Sequence, residues 1–300
     1  MLLQVLGTAA GGGVPQWNCA CPGCAGARAH PRRRRRHASL AVRSGGPGTR
    51  WHIVNAGPDI TDRIESAPAL RPGPGPRETP VAGVILTDAE LDHTLGIARL
   101  READGLTVRA TATVRAALLD RLRLGEVLGP YAALEWRELA EKPEALSAPG
   151  GIEISAVPVS AKRPRYAASC GPDDPTWSVA LRLYEPATGA SAVYAPAIAT
   201  WSDALQDAVR SADVVLADGT FWDDDEPVRS GISPRTATAT GHLPIVGPHG
   251  TAHRLAALPG RCLYTHLNNT NPLNDPAAAQ HARLAEHGLA VAAERMVIEL

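Results

Sequence analysis

A continuous apolar run that ends in a cluster of acidic residues and one histidine constrains this chain more than any other feature. Val81–Leu86 contains only apolar residues and glycine, which is typical of a central β-strand buried on both faces. The six residues after Thr87 carry three carboxylates and one imidazole, on Asp88, Glu90, Asp92 and His93. Such ligands suit Fe(II), Mn(II) or Zn(II), so this loop after a strand predicts a metal site. The same residues also fit an acidic helix start, where the helix dipole favours carboxylates.

A second group of histidines later in the chain favours the metal site over the acidic helix start. His242 lies in a glycine-containing loop, and His266 ends an apolar strand at Cys262–Tyr264. The end of a strand is a position at which a fold presents side chains to a cleft. Three nearby asparagines can donate and accept hydrogen bonds, so they could orient metal ligands or a substrate. They are Asn268, Asn269 and Asn271.

Three of the five cysteines lie close together in the sequence. Cys19, Cys21 and Cys24 have the spacing Cys-x-Cys-x-x-Cys. In a cytosolic chain, adjacent cysteines indicate metal ligands rather than a disulfide framework. Cys170 and Cys262 are isolated, and Cys262 is expected to be a small buried residue. The cysteines therefore predict a second metal site.

Composition and charge exclude several classes of protein. With 300 residues, of which 44% are hydrophobic, the chain is long enough for one large domain with a substantial core. A net charge of -1 gives no reason to expect nucleic acid or an anionic membrane as a partner. We see neither a signal peptide nor a run of roughly 20 apolar residues, so we expect a soluble, cytoplasmic protein. Arg32–Arg36 could attract an acidic partner or nucleic acid, but we interpret this run as a solvated loop.

Hydrophobic periodicity divides the chain into short strands and helices. The predicted strands are Leu2–Leu6, Ser39–Arg43, Trp51–Asn55, Val81–Thr87, Thr107–Ala110, Ile152–Pro158, Ser178–Tyr184, Ala192–Ala195, Val214–Ala217, Cys262–His266 and Val297–Leu300. The predicted helices are Thr94–Ala103, Thr113–Leu124, Ser202–Ser211, His249–Leu258 and Pro276–Gly288, and the long loops are Ala67–Thr79 and Lys162–Trp177. Helices inserted between groups of strands indicate a layered α/β protein with two sheets, in a single domain over residues 1–300.

Several distinctive strings, spread over nearly the full length, resemble motifs of the pyrroloquinoline quinone biosynthesis protein B family, a branch of the metallo-β-lactamase superfamily. The strings are Gly7–Cys21, Pro58–Ile60, Leu86–Thr94, Tyr194–Pro196, Asp218–Trp222, Gly241–Ile245 and His266–Pro272. Together and in this order they form a far stronger signal than any one of them. The resemblance implies an αββα sandwich, in which two mixed β-sheets are flanked by helices.

The resemblance also implies which residues bind the active-site metal. Most superfamily members carry His-x-His-x-Asp-His as their first metal motif, and its ligand positions fall here on Asp88, Glu90, Asp92 and His93. Carboxylates therefore replace the first two histidines, which removes two imidazoles of a hydrolytic zinc site. Asp92, His93 and His266 remain as a 2-His-1-carboxylate set, the pattern of non-haem Fe(II) oxygenases. Fe(II) is the expected metal, with another divalent metal as the alternative.

Further residues are assigned through the resemblance to catalysis and to a structural zinc site. Asp88 and Glu90 are expected to tune the active-site metal or handle protons, and His242 to contact the substrate or the metal. Asn269 is placed in the catalytic set as well. The three clustered cysteines resemble a structural Zn(II) site, which needs a fourth ligand. A water, Asn269 or His37 could supply that ligand.

The activity implied by the resemblance is the Fe(II)- and O2-dependent hydroxylation of the tyrosine ring in a Glu–Tyr-derived precursor of the quinone cofactor. The expected partners are a small aromatic substrate derived from an amino acid or peptide, and O2. The reaction could instead belong to a related natural-product pathway, and the chain could form a homodimer. Two other functions are considered: a metal-dependent hydrolase, in which a metal-bound hydroxide attacks an ester or amide, and a non-catalytic carrier of the finished quinone. The loss of two motif histidines favours the hydroxylase over the hydrolase.

Overall fold

Two seven-stranded sheets form the framework of the chain, of which the computed structural model describes residues 1–46, 48–147, 150–171 and 173–300. The first sheet contains β1 (Leu2–Gly7), β2 (Ser39–Arg43), β3 (Trp51–Val54), β4 (Val81–Ile85), β5 (Leu106–Ala110), β6 (Leu134–Glu138) and β14 (Val297–Glu299). The second contains β7 (Glu144–Ala145), β8 (Glu153–Ser160), β9 (Ser178–Glu185), β10 (Ala190–Ala195), β11 (Val214–Asp218), β12 (Arg261–Thr265) and β13 (Ala290–Val291). Their strand orders are β14-β1-β2-β3-β4-β5-β6 and β13-β12-β11-β10-β9-β8-β7.

Short helices connect and cover the strands. Within the described ranges they are α1 (Pro22–Ala29), α2 (Ile60–Ser66), α3 (Leu91–Thr94), α4 (Ala112–Ala116), α5 (Leu124–Leu128), α6 (Asp203–Arg210), α7 (Glu226–Arg229), α8 (Ala237–Thr240), α9 (Ala252–Ala256) and α10 (Ala279–Ala285). The hydroxyl of Ser202 caps α6 by accepting a hydrogen bond from the Leu205 amide at 3.1 Å. Among the helices of the described chain, none has the length and apolar character that crossing a bilayer requires.

Both sheets are mixed, and both contribute to one central apolar layer. β1 to β3 pair antiparallel and β3 to β6 parallel, while β7 to β10 pair antiparallel and β10 to β13 parallel. Leu3 and Val54 from the first sheet share a buried cluster with Leu181 and Leu216 from the second. The outer faces pack against α2 and α4 on one side and α6 and α9 on the other. The predicted αββα sandwich is confirmed.

The differences from the predicted elements have local causes. The predicted helix at Thr94–Ala103 begins earlier, as α3, and continues as a 3-10 helix over Leu95–Leu100. The predicted helix at Thr113–Leu124 is divided between α4 and a π-helical turn at Ala117–Arg121. We did not predict α1, because its two glycines disfavour a helix. We also did not predict β6, β7 and β13. β7 and β13 have only two residues each, which is too short for a recognisable alternation, and β6 exposes three charged side chains.

The arginine run is partly built into the fold, which corrects its interpretation as a solvated loop. A guanidinium nitrogen of Arg35 donates to the Thr8 hydroxyl at 3.0 Å, and one of Arg36 donates to the Ser66 hydroxyl at 2.7 Å. Arg32, by contrast, is exposed. The run therefore anchors the segment before β2 through some side chains and exposes others to solvent.

An ion pair between a buried arginine and a half-buried aspartate supports the helix next to the acidic-histidine loop. Arg63 of α2 is fully buried, and it donates to Asp59, which also accepts a hydrogen bond from Nδ1 of His37 at 3.1 Å. Burial alone would raise the pKa of Asp59, but His37 and Arg63 hold that pKa well below its usual range. The folded state thus favours the ionised carboxylate. The ionised Asp59 carboxylate therefore stabilises the folded state fully above its unfolded pKa of about 4, and this stabilisation is lost as the pH falls below that value.

We predict that Asp59→Asn lowers the free energy of unfolding by about 3 kcal/mol at neutral pH, because the buried charge of Arg63 loses its anion. Urea denaturation at pH 7 measures this loss, and the difference from wild type should shrink below about pH 4. Asp62→Asn is the matched control, since Asp62 is exposed on the same helix. Equal stability of wild type and Asp59→Asn at pH 7 contradicts the prediction.

Candidate metal centre

The loop that follows β4 is held by residues at the end of β3. The side-chain amide of Asn55 donates to the Thr87 hydroxyl at 2.9 Å, and the Thr87 backbone amide donates to the side-chain oxygen of Asn55 at 3.0 Å. Asn55 has a φ of 61°, in the left-handed region that asparagine tolerates better than most residues. Beyond Thr87, the Ala56 amide donates to the carbonyl of His93 at 2.7 Å. These hydrogen bonds position the acidic-histidine loop from both ends.

The same loop packs against two glycines without room for a side chain. A Cβ atom on Gly57 would lie 2.6 Å from the carbonyl oxygen of Asp92 and 2.6 Å from the guanidinium of Arg63. A Cβ atom on Gly96 would collide with the carbonyl oxygen of Gly57. A side chain at Gly57 would have to displace the Arg63 guanidinium and the backbone at Asp92, and one at Gly96 would have to displace the backbone at Gly57.

The structure brings Asp92, His93 and His266 together in one cleft. The Oδ2 atom of Asp92 lies 3.5 Å from Nε2 of His93 and 3.9 Å from Nε2 of His266. One ligand atom from each residue lies within 4.8 Å of the others. Both histidines are buried, and Nε2 of His93 is buried without a hydrogen-bond partner. A divalent cation bound by these three side chains would satisfy that nitrogen, so the donor set fits such an ion.

Asp88 holds the imidazole of His93 in the orientation that a metal ligand needs. Its carboxylate accepts hydrogen bonds from Nδ1 of His93 at 2.8 Å, from the Thr87 hydroxyl at 2.8 Å and from the Glu90 amide at 2.9 Å. With Nδ1 donating to Asp88, Nε2 of His93 is the nitrogen left for a cation, which would bind its lone pair after displacing its proton. Burial opposes both charges, but His93 lowers the pKa of Asp88 to about 2. Asp88 and Asp92 in turn raise the pKa of His93 to about 9 against its burial, so positive charge is favoured here.

A second carboxylate, Asp218, holds the other two histidines. Nδ1 of His242 donates to Asp218 at 2.8 Å. Nδ1 of His266 donates to the Thr220 hydroxyl at 2.8 Å, and that hydroxyl donates to Asp218 at 2.6 Å. Burial lowers the pKa of His266 to about 4, with a further contribution from the positive charge of His93. His266 is therefore neutral with Nε2 free, as a metal ligand must be.

Asp218 and Thr220 are the functional residues that sequence reasoning missed. Asp218, His242 and His266 form a second group whose ligand atoms lie within 4.8 Å of one another, and His266 belongs to both groups. Asp218 is the last residue of the apolar strand β11, the same strand-end position that pointed to His266. This position at the end of an apolar strand was visible in the sequence. No histidine lies next to Asp218, however, so the sequence did not indicate a metal-binding group there.

The cleft around these groups has a volume of about 260 Å³, just below the usual range for small-molecule sites. Phe221 and Trp177 contribute apolar wall to it. Glu90 lines its solvent-exposed side, 3.9 Å from the ammonium of Lys162, and burial together with the charge of Asp88 raises the pKa of Glu90. Among the predicted catalytic residues, the cleft is lined by Asp88, Glu90 and His242.

Asn269 lies with the cysteines instead, so the structure does not support its predicted place in the catalytic set. Its side-chain nitrogen is 3.1 Å from the sulfur of Cys19 and 3.4 Å from the sulfurs of Cys21 and Cys24. The three sulfurs form a compact group that fits a tetrahedral cation. A flip of the Asn269 amide would turn its oxygen toward such an ion. His37 hydrogen-bonds to Asp59 and is not part of this group.

Several known proteins resemble this chain over its whole length. Residues 50–267 match the family model of the beta-lactamase superfamily domain. Coenzyme PQQ synthesis protein B of Cupriavidus necator is 39% identical over 99% of both chains, and that of Azoarcus sp. is 37% identical over 100% of both. The crystal structure of Zn(2+)-bound PqqB from Methylobacterium extorquens covers 100% of both chains with a TM-score of 0.88 and 32% identity. A diphosphatase of the PhnP family shares the fold, with a TM-score of 0.68 and 16% identity over 100% of this chain and 96% of its own.

Proposed function

This chain belongs to the coenzyme PQQ synthesis protein B family of the beta-lactamase superfamily, and we propose that it acts in the synthesis of this quinone coenzyme as an Fe(II)- and O2-dependent hydroxylase. Its proposed substrate is a tyrosine-derived aromatic precursor of Glu–Tyr type. The observation that carries the proposal is the convergence of Asp92, His93 and His266. A 2-His-1-carboxylate set is typical of non-haem Fe(II) oxygenases.

The carboxylates around these ligands support iron rather than a hydrolytic zinc pair. In the first motif, Asp88 accepts a hydrogen bond from His93 instead of supplying another imidazole, and Glu90 faces the exposed side of the cleft. Few nitrogen donors and several carboxylates suit Fe(II) better than a softer metal. When bound there, Fe(II) would supply O2 activation and open coordination positions.

The chain's own residues position the substrate and the ligands. Asp88 orients His93, and Thr220 orients His266, each through the Nδ1 atom. Nδ1 of His242 donates a hydrogen bond to Asp218. The Nε2 atom of His242 is therefore available to hold a substrate phenol by a hydrogen bond. Phe221 lies edge-on to His242, with ring centroids 6.1 Å apart, and offers an aromatic ring an apolar wall.

A metal-dependent hydrolase is the second candidate, and one observation favours it. Asp218, His242 and His266 form a group next to the first and share His266 with it. Two adjacent cation positions are a feature of hydrolases that use two metals. The Zn(2+)-bound relative from Methylobacterium extorquens also fits this candidate.

Anaerobic loading with Fe(II), followed by O2 and a Glu–Tyr dipeptide, separates the two functions. With a two-electron reductant such as ascorbate present, we expect O2 to be consumed, with one oxygen atom entering the tyrosine ring and the other leaving as water. Mass spectrometry measures the hydroxylated product. The Zn(II)-loaded protein is the control and should give no hydroxylated product. Cleavage of the dipeptide without O2 would support the hydrolase, and the absence of both O2 consumption and hydroxylated product would reject the hydroxylase.

A further inference from the structure

One lysine stands out among the residues that line the cleft. Of the 30 lysines and arginines in the chain, only Lys142 and Lys162 are lysines. Lys162 lines the cleft, and apart from the histidines it is the one basic side chain among the described lining residues. The cleft also contains the carboxylates of Asp88, Glu90 and Asp92. Lys162 therefore places one positive charge among three carboxylates of the cleft.

The stem of Lys162 is held against the loop that carries His242. A Cβ atom on Gly241 would lie 2.8 Å from Cδ of Lys162, so the lysine stem covers this glycine closely. The backbone amide of Lys162 donates to the hydroxyl of Ser160 at 3.1 Å, at the end of β8. Long basic side chains commonly pack their apolar stem in this way and leave the charged end in water. The ammonium is thus kept beside the cleft.

The ammonium itself is not committed to a protein partner. Its nearest carboxylate is that of Glu90 at 3.9 Å, and the two side chains are 45% and 42% exposed. An ion pair this long and this exposed contributes little. Asp88 is engaged by His93 and Thr87. Lys162 is therefore free to bind an anionic group that enters the cleft.

We propose that the ammonium of Lys162 binds a free carboxylate of the substrate and so sets which end of an aromatic amino acid or short peptide faces solvent. This inference rests on the function proposed above and adds one feature of its substrate class. Hydrogen bonds between ammonium and carboxylate are stronger than those between neutral groups. With the carboxylate at Lys162, the aromatic ring would lie toward Phe221 and His242, which line the same cleft.

Calorimetric titration of the Zn(II)-loaded full chain tests the proposal without relying on turnover. The two probes are 3-(4-hydroxyphenyl)propanoate and its amide, which share the phenol and differ in charge. We expect wild type to bind the acid at least about tenfold more tightly than the amide. Lys162→Met keeps an apolar stem against Gly241 and should abolish this preference, while the affinity for the amide stays unchanged. Lys162→Arg should retain most of the preference.

Lys142→Met is the matched control, because Lys142 is exposed and does not line the cleft; it should bind both probes as wild type does. If Lys162→Met still prefers the acid by the wild-type factor, the carboxylate binds elsewhere, such as on the metal, and the proposal is overturned. The proposal is overturned equally if wild type shows no preference for the acid, including the case in which neither probe binds.

The two proposals fail in distinguishable ways. A Lys162-dependent preference for the acid, together with the absence of ring hydroxylation, would leave the lysine's role intact and reject the oxygenase. Ring hydroxylation with equal binding of acid and amide would retain the oxygenase and reject the role of Lys162.

Discussion

Replacing His266 with alanine should abolish the binding of a divalent cation at the candidate centre and reduce the hydroxylation rate by more than about 100-fold. Loss of a residue that only supports a metal ligand already costs about 10–100-fold, and His266 is a predicted ligand. It also belongs to both groups of potential ligands, so neither cation position would remain complete without it. Metal content after anaerobic loading with Fe(II), together with the hydroxylation assay, measures both effects.

His253→Ala is the control for this prediction, because His253 is an exposed histidine of α9 that lines neither the cleft nor the cysteine group. The control should bind Fe(II) and react as wild type does. If His266→Ala bound one equivalent of Fe(II) with wild-type affinity, the ligand assignment would be wrong.

A triple Cys→Ser variant at Cys19, Cys21 and Cys24 should lose one equivalent of zinc and at least about 4 kcal/mol of unfolding free energy. Loss of a structural metal is among the few changes that destabilise a protein this strongly. The sulfurs join the start of α1 to the loop at Asn269, since Cys21 also contacts the Asn269 carbonyl at 3.3 Å. With Asn269 as its fourth ligand, a metal there would close a loop of more than two hundred residues, which is where a cross-link restricts the unfolded chain most.

Elemental analysis and chemical denaturation of the purified variant measure these losses. Cys170→Ser is the control: Cys170 lies outside the cysteine group, so its replacement should leave the zinc content unchanged. A triple variant that retained its zinc would refute the site, and one that lost zinc at unchanged stability would refute its structural role.

The central strand and the loop after it could be predicted because their signals are local. β4 is a continuous apolar run, and its acidic-histidine loop follows within a few residues. The tertiary hydrogen bonds that make this loop a metal site are not local. Asn55 reaches Thr87 across 32 positions, and nothing in the sequence around Asn55 indicates that its side chain would hold the loop.

The roles of individual polar residues were the least predictable part of the site. Asn269 follows His266 by three positions, and it was placed in the catalytic set as well as among the candidates for the fourth zinc ligand. The turn after β12 directs it to the cysteines, while Asn268 lines the cleft. Neighbouring residues in a turn commonly point in different directions, and the sequence alone does not reveal which does which. Asp218 was missed for the related reason that its histidine partners are distant in the chain.

The structure gives the replaced motif histidines a more specific interpretation than the sequence did. Asp88 occupies the position of a metal-binding histidine in most of the superfamily, yet here it accepts the Nδ1 hydrogen of His93. Asp218 has a comparable relation to His242 and, through Thr220, to His266. We infer that both carboxylates fix the tautomers of the histidines. We propose that Asp88 positions His93 rather than binding the metal itself.

The assignment of Asp92, His93 and His266 as the ligands of one catalytic iron is tested most directly by anomalous X-ray diffraction from crystals loaded with Fe(II) under anaerobic conditions. We predict an anomalous peak at the iron absorption edge within bonding distance of the Asp92 carboxylate and of Nε2 in both histidines. A peak bound by Asp218 and His242 without Asp92 and His93, or no iron peak in fully loaded crystals, would contradict the assignment.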